Sequence, residues 1–339
     1  MKETFRKRWR ALGFVALCLV CVGVSVGYVV HSGSRARQLA QAGSVAPPES
    51  VAAVEAQPHV VFRNLSSAAE AGFVALAPLK APDGPRQITD FACLRVHMAA
   101  GAGLCLAEQT DDPFGAPYRA RFFGPGFETV GELPLPGVPS RARVSPDGKL
   151  GASTVFVTGD SYAPGSFSTR TTLYDMASAT SLGDLETFAV FKDGQRIESV
   201  DFNFWGVTFS RSGGRFYATL GTGGHTYLVE GDVAARTVKV LRDGVECPSL
   251  SPDGTRIAFK QKVSGGGLSE VKWQLAVLDL ATLKDQPLAE TRNVDDQAEW
   301  LDDGNVLYGV DSDTWVVPAD GSGAPRLFAP RAQSPVVVP

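Results

Sequence analysis

The 339-residue chain is poor in the residues that most often carry chemistry, with four histidines and five cysteines. Only His59, His97 and His225 fall in the part that reads as folded. No H-E-x-x-H occurs and no two histidines have metal-ligand spacing, so the common zinc-hydrolase patterns are excluded. The nearest string to a nucleophile elbow, Gly159-Asp160-Ser161-Tyr162-Ala163, lacks the final glycine and any following helix. GTGGHTYLV around His225 lacks the Lys-Ser/Thr of a phosphate loop and leads into a strand, so a glycine-rich hairpin is expected there. Long amphipathic helices are missing after residue 59. Net charge is only −4, and no basic block interleaved with aromatics occurs in the soluble part, so nucleic acid is not an expected partner.

One long apolar run is present. Arg6, Lys7, Arg8 and Arg10 precede ALGFVALCLVCVGVSVGYVV, residues 11–30. At 1.5 Å per residue that run matches the ~30 Å hydrocarbon core of a bilayer. A membrane-spanning signal anchor over 11–30 is therefore expected, and the excess of positive charge before it places residues 1–10 in the cytoplasm and the remainder outside. The alternative is a secreted chain cut after a signal peptide, for which Ala40-Gln41-Ala42 has the required form. Cys18 and Cys21, inside the run, read as small hydrophobes rather than a redox pair. Residues 31–58, rich in Ala, Gln, Ser and Pro, read as a flexible linker, and the folded domain is expected over 59–339.

That domain repeats itself. Ser251-Pro252-Asp253-Gly254 precedes TRIAF, and Ser145-Pro146-Asp147-Gly148 precedes KLGAS. Ser212-Gly213 and Asp303-Gly304 stand in the same frame, as does Gly101. The anchoring glycines are 47, 65, 41 and 50 residues apart, which apart from the long interval is the period of a four-stranded propeller blade. Short runs rich in Val, Leu, Phe and Tyr follow each turn, bounded by Gly, Pro, Asp and Ser. The fold class expected is all-β. HVVFRN, GFVALAPL and PRQITD supply the second to fourth strands of a first blade, and the terminal SPVVVP supplies its missing inner strand, closing a six-bladed ring.

The repeat, best seen in LSPDGTRIAFKQ, resembles the WD-like repeat of TolB-type β-propellers over residues 59–339. Together with the basic N-terminus, apolar run and spacer, it is similar to membrane-anchored TolB-like proteins of bacteria with GC-rich genomes. TolB carries a second domain ahead of its propeller and this chain does not have the room for one, so a Tol-Pal role is not carried over. The resemblance implies a rigid platform for protein or ligand binding.

Cys93 and Cys105 flank a turn centred on Ala99 and would oppose each other in a hairpin, about 4.5 to 5.5 Å apart at Cα, which favours a disulfide outside the cytoplasm. Cys247 reads as a buried inner-strand residue. The acidic clusters Asp111-Asp112, Asp295-Asp296, Asp302-Asp303 and Asp311-Ser312-Asp313 lack calcium-loop spacing and read as solvated turns. Within the long interval, Phe202 and Phe204 read as the inner strand of blade four, while Tyr162, Phe167 and Trp205 are candidate loop contacts. The turn residues named above read as scaffold: Ser or Asp caps the turn, Pro fixes φ and Gly accepts positive φ. The reading is a non-enzymatic scaffold without cofactor or metal, attached to the membrane and binding an envelope protein or cell-wall ligand. Its alternative is a hydrolase or lyase acting on glycans or lactones through a channel metal site, although the repeat frame places no convergent acids or histidines there.

Overall fold

The computed structural model describes residues 50–109, 115–157, 168–266 and 269–339. They form six sheets, antiparallel except for one parallel pairing in blade 4. Blade 1 runs from its inner strand Ala332–Val338 through His59–Asn64 and Phe73–Pro78 to Gln87–Ala92. The closing register pairs His59 with Val338 and Val61 with Val336, so the end of the chain completes the ring as the sequence predicts. The other inner strands are Arg95–Ala99, Val138–Val144, Asn203–Phe209, Glu246–Leu250 and Glu299–Asp302, each touching the next around a central channel. The apolar run over 11–30 lies outside the described residues, and among those described no helix is long and apolar enough to cross a membrane.

Both faces of a blade's middle strands are buried against neighbouring blades, which suppresses the usual alternation and leaves near-continuous apolar runs. Val60 and Phe62 face Leu307, Val316 and Phe328 of blade 6, whereas Val61 faces Val96 and Phe123 of blade 2. The inner strands are sheet edges, and they carry Pro139, Pro248 and Pro335 where a ladder donor is dispensable.

Three differences from the sequence reading have physical causes. Val51–Glu55, inside the expected spacer, is a short helix capped by Ser50, whose Oγ accepts from the Ala53 N–H at 3.2 Å; Val54, 1% exposed, packs into the core beside Phe91 and Cys93. The 65-residue interval holds an added hairpin, Ala189–Lys192 and Gln195–Ile197, turned at Asp193-Gly194. Its first strand pairs in parallel with Thr237–Asp243, giving blade 4 six strands. The Cys93–Cys105 disulfide is present, with Cα atoms 5.5 Å apart, but not in the expected register. Ala99 pairs with Ala102 and Val96 with Cys105, because Ala100 (φ 48°) and Gly101 (φ 77°) make a two-residue turn with both residues left-handed. Cys93 lies just before the strand and reaches Cys105 from outside the ladder.

Candidate functional site

The two intact SPDG turns are built alike. The Ser145 hydroxyl donates to Asp147 Oδ1 at 2.6 Å, while the Leu150 and Lys149 N–H groups donate to Ser145 Oγ and Asp147 Oδ1 at 2.9 and 3.2 Å. Ser251, Asp253, Thr255 and Arg256 repeat this set. Gly148, Gly213 and Gly254 have φ of 72°, 70° and 76°, as expected. Gly304 does not: its turn is closed instead by Asp302 Oδ1, which accepts from the Gly304 N–H at 2.7 Å. The turns also tie blades together. Asp303 Oδ1 accepts from the Asp253 N–H at 2.8 Å, and a Cβ on Gly213 would lie 2.7 Å from Asp147 Oδ2 of the adjacent blade.

Of the proposed loop contacts, Trp205 belongs to the inner strand of blade 4, which begins at Asn203, and is 8% exposed. Tyr162 and Phe167 lie outside the described residues. Phe204 and Cys247 occupy inner strands, as read from sequence, whereas Phe202 falls just before the strand Asn203–Phe209.

The unforeseen feature is the channel. Ring closure brings His97 of blade 2, Arg143 of blade 3 and Glu299 of blade 6 into contact, with Arg143 Nη1 donating to Glu299 Oε2. Arg143 Nη2 also donates to the Ala298 carbonyl at 3.2 Å. The Val144 N–H lies 3.1 Å from His97 Nδ1, and His97 Nε2 lies 3.0 Å from Arg143 Nη1 and 3.8 Å from Glu299 Oε2. Burial and the Arg143 charge push His97 below its ordinary pKa. Burial alone would raise Glu299, but Arg143 and His97 hold it below the usual carboxylate range. At neutral pH the group is thus a neutral imidazole beside a closed ion pair.

Next to it Arg141 Nη2 lies 3.4 Å from Asp296 Oδ1, which corrects the expectation that Asp295-Asp296 is merely a solvated turn. Lys260 pairs with Asp295 and stands 4.0 Å from Glu246 Oε2. Burial raises the Glu246 carboxyl to about 7 against the opposing charge of Lys260, and raises the Cys247 thiol. Among the described residues no group of three or more His, Cys, Asp or Glu is arranged to hold a metal ion.

Above the Arg143–Glu299 pair, where the inner strands end, the channel widens into a funnel of about 670 Å³. Met98, Val144, Phe209, Leu250, Trp300 and Leu301 line its walls, and Pro146, Pro252, Arg211 and Asp303 its rim. The repeat turns, read as scaffold alone, thus also form the mouth of a cavity.

No protein-family model matches the sequence, and no curated protein is similar to it. Solved structures are similar in fold. TolB from Acinetobacter baumannii is 16% identical with a TM-score of 0.57, over 83% of this chain and 66% of that one. This chain therefore spans just under two thirds of that TolB's length. A putative TolB from Agrobacterium tumefaciens is 13% identical (TM-score 0.53, 82% and 90% of the chains), and a chain of a nidogen/laminin complex is 11% identical (0.55, 83% and 98%). The fold is that of a six-bladed β-propeller, like those of TolB.

Proposed function

We propose that the chain is a non-enzymatic binding propeller, held on the outer side of a membrane by residues 11–30, whose funnel receives an envelope protein or cell-surface ligand. The observation that carries this reading is the funnel itself: about 670 Å³, apolar walls, polar rim, and a base closed by ion-paired side chains. Such a cavity offers apolar area for affinity and a few fixed polar groups for orientation. The Cys93–Cys105 bond supports an oxidising compartment, and one structure of similar fold comes from a nidogen/laminin complex. The hydrolase or lyase reading has less support, because Glu299 is engaged by Arg143 and His97 accepts from backbone, which leaves no free acid–base pair at the base.

Photo-crosslinking of the full chain in its native membrane tests the reading. A partner should be captured saturably, and Ala99→Trp, which fills the mouth, should reduce capture at least tenfold. Val200→Lys, at a residue 80% exposed on the chain leading into blade 4, should not. Equal capture by both variants would remove the funnel from recognition. Turnover of a glycan or lactone abolished by Glu299→Gln would replace the reading with the enzyme.

A further inference from the structure

The narrow end of the channel holds more positive charge than its own carboxylates balance. Beyond the Arg143–Glu299 pair, toward the beginnings of the inner strands, lies a second cavity of about 40 Å³. Arg95, Arg141, Arg143, Asp296, Glu299 and Ser334 line it. Both carboxylates are taken, Glu299 by Arg143 and Asp296 by Arg141. Arg95 has no carboxylate within 4.0 Å among the described residues, and its Nη1 donates to the Ser334 hydroxyl at 3.3 Å, a contact that cancels no charge. Arg63, on the next strand of blade 1, adds a further cation; its Nε and Nη1 donate to the Cys93 carbonyl and the Gln333 side chain. The Nε–H groups of Arg141 and Arg143 are buried without an acceptor. Three arginines and two carboxylates therefore line this space, which leaves its lining with a net positive charge.

We infer that this cavity binds one carboxylate group, with Arg95 as its principal partner. The planar guanidinium fork matches a carboxylate's two oxygens, and a cavity of this volume suits a small planar anion rather than a sugar or nucleotide. The group arrives either as a free small acid or as an acidic side chain of a partner protein. The cavity and the funnel share the Arg143–Glu299 pair as a wall, but Arg95 and Ser334 line the cavity alone, so failure of this test leaves the proposed function standing.

Thermal unfolding of the full chain is measured against acetate, a blocked aspartyl dipeptide, phosphate and chloride, at constant ionic strength set with methanesulfonate. Acetate should raise Tm saturably by about 3 °C or more, as expected for a ligand that binds only the folded state. Arg95→Met should abolish the rise while itself unfolding no earlier than wild type, since it removes an unbalanced buried charge. Ser334→Ala, a milder change, should weaken acetate several-fold. A matching rise with the dipeptide assigns the site to protein side chains, and acetate alone to a free acid. An equal response to phosphate or chloride, no saturable response to any anion, or an undiminished acetate response in Arg95→Met overturns the assignment.

Discussion

At the residue scale, buried ion pairs are costly to break one member at a time. Removing one member of a desolvated ion pair leaves the other charge without compensation, which costs about 3–5 kcal/mol. Arg143→Met should therefore destabilise by about that much in denaturant unfolding, and Arg143→Met with Glu299→Gln should recover most of it. If the two changes are simply additive, the pair is not energetically coupled. Glu186 behaves in the opposite sense. Burial, with the Asp184 charge adding, raises its carboxyl to about 8. The folded chain then holds this proton more tightly than the unfolded chain, so the contribution is greatest below the ordinary carboxylate range. It is lost as pH rises toward 8. Tm of the wild type should fall relative to Glu186→Gln between pH 5 and 8.5, by about 2–4 kcal/mol in stability. Gln still accepts from the Thr171 N–H, so parallel pH profiles would show that the carboxyl titrates normally.

The elements were legible where local chemistry decides them. SPDG turns and blade spacing follow from residues close in sequence, because Pro, Gly and Asp fix turn geometry whatever surrounds them, whereas the closing strand follows from the inner strand that the repeat frame leaves missing in blade 1. Register was not legible from cysteine spacing: the disulfide was foreseen for the wrong ladder, since the left-handed pair Ala100-Gly101, not the symmetry of the cysteines, sets the turn. The charged channel was not legible at all. His97, Arg143 and Glu299 are 46 and 156 residues apart in the Arg143 contacts, and only the closed ring makes them neighbours. The disulfide nonetheless bridges two buried residues across a separation of 12, closing a short loop at the blade 1–blade 2 junction. Replacing both cysteines by alanine should cost about 3 kcal/mol. Reduced wild type and the double variant should unfold together, and both below oxidised protein. Coincidence of all three transitions would mean that the bridge adds no stability.

For the whole molecule, the decisive contact is the return of the chain onto its own beginning. Among the described residues, the strand Ala332–Val338 is the only inner strand contributed from the opposite end of the domain's chain from the rest of its blade. Ala332 and Val336 are 0% and 1% exposed, and the Thr314 hydroxyl donates to the Ala332 carbonyl at 2.9 Å, tying blade 6 to blade 1. Without it, blade 1 presents an unpaired edge to the channel and loses the apolar cover of Val61 and Val74. Burial of a single Val is worth about 1.5–3 kcal/mol, so deleting residues 332–339 should cost about 5 kcal/mol or more. Because blades stack neighbour on neighbour, the loss should also break one sharp unfolding transition into a broad one with a smaller denaturant slope. The peptide AQSPVVVP added in trans should restore sharpness in proportion to its concentration, while a version with Val336→Asp should not. A deletion variant that unfolds as sharply as the intact chain, and at the same denaturant concentration, would show that the ring holds without its closing strand.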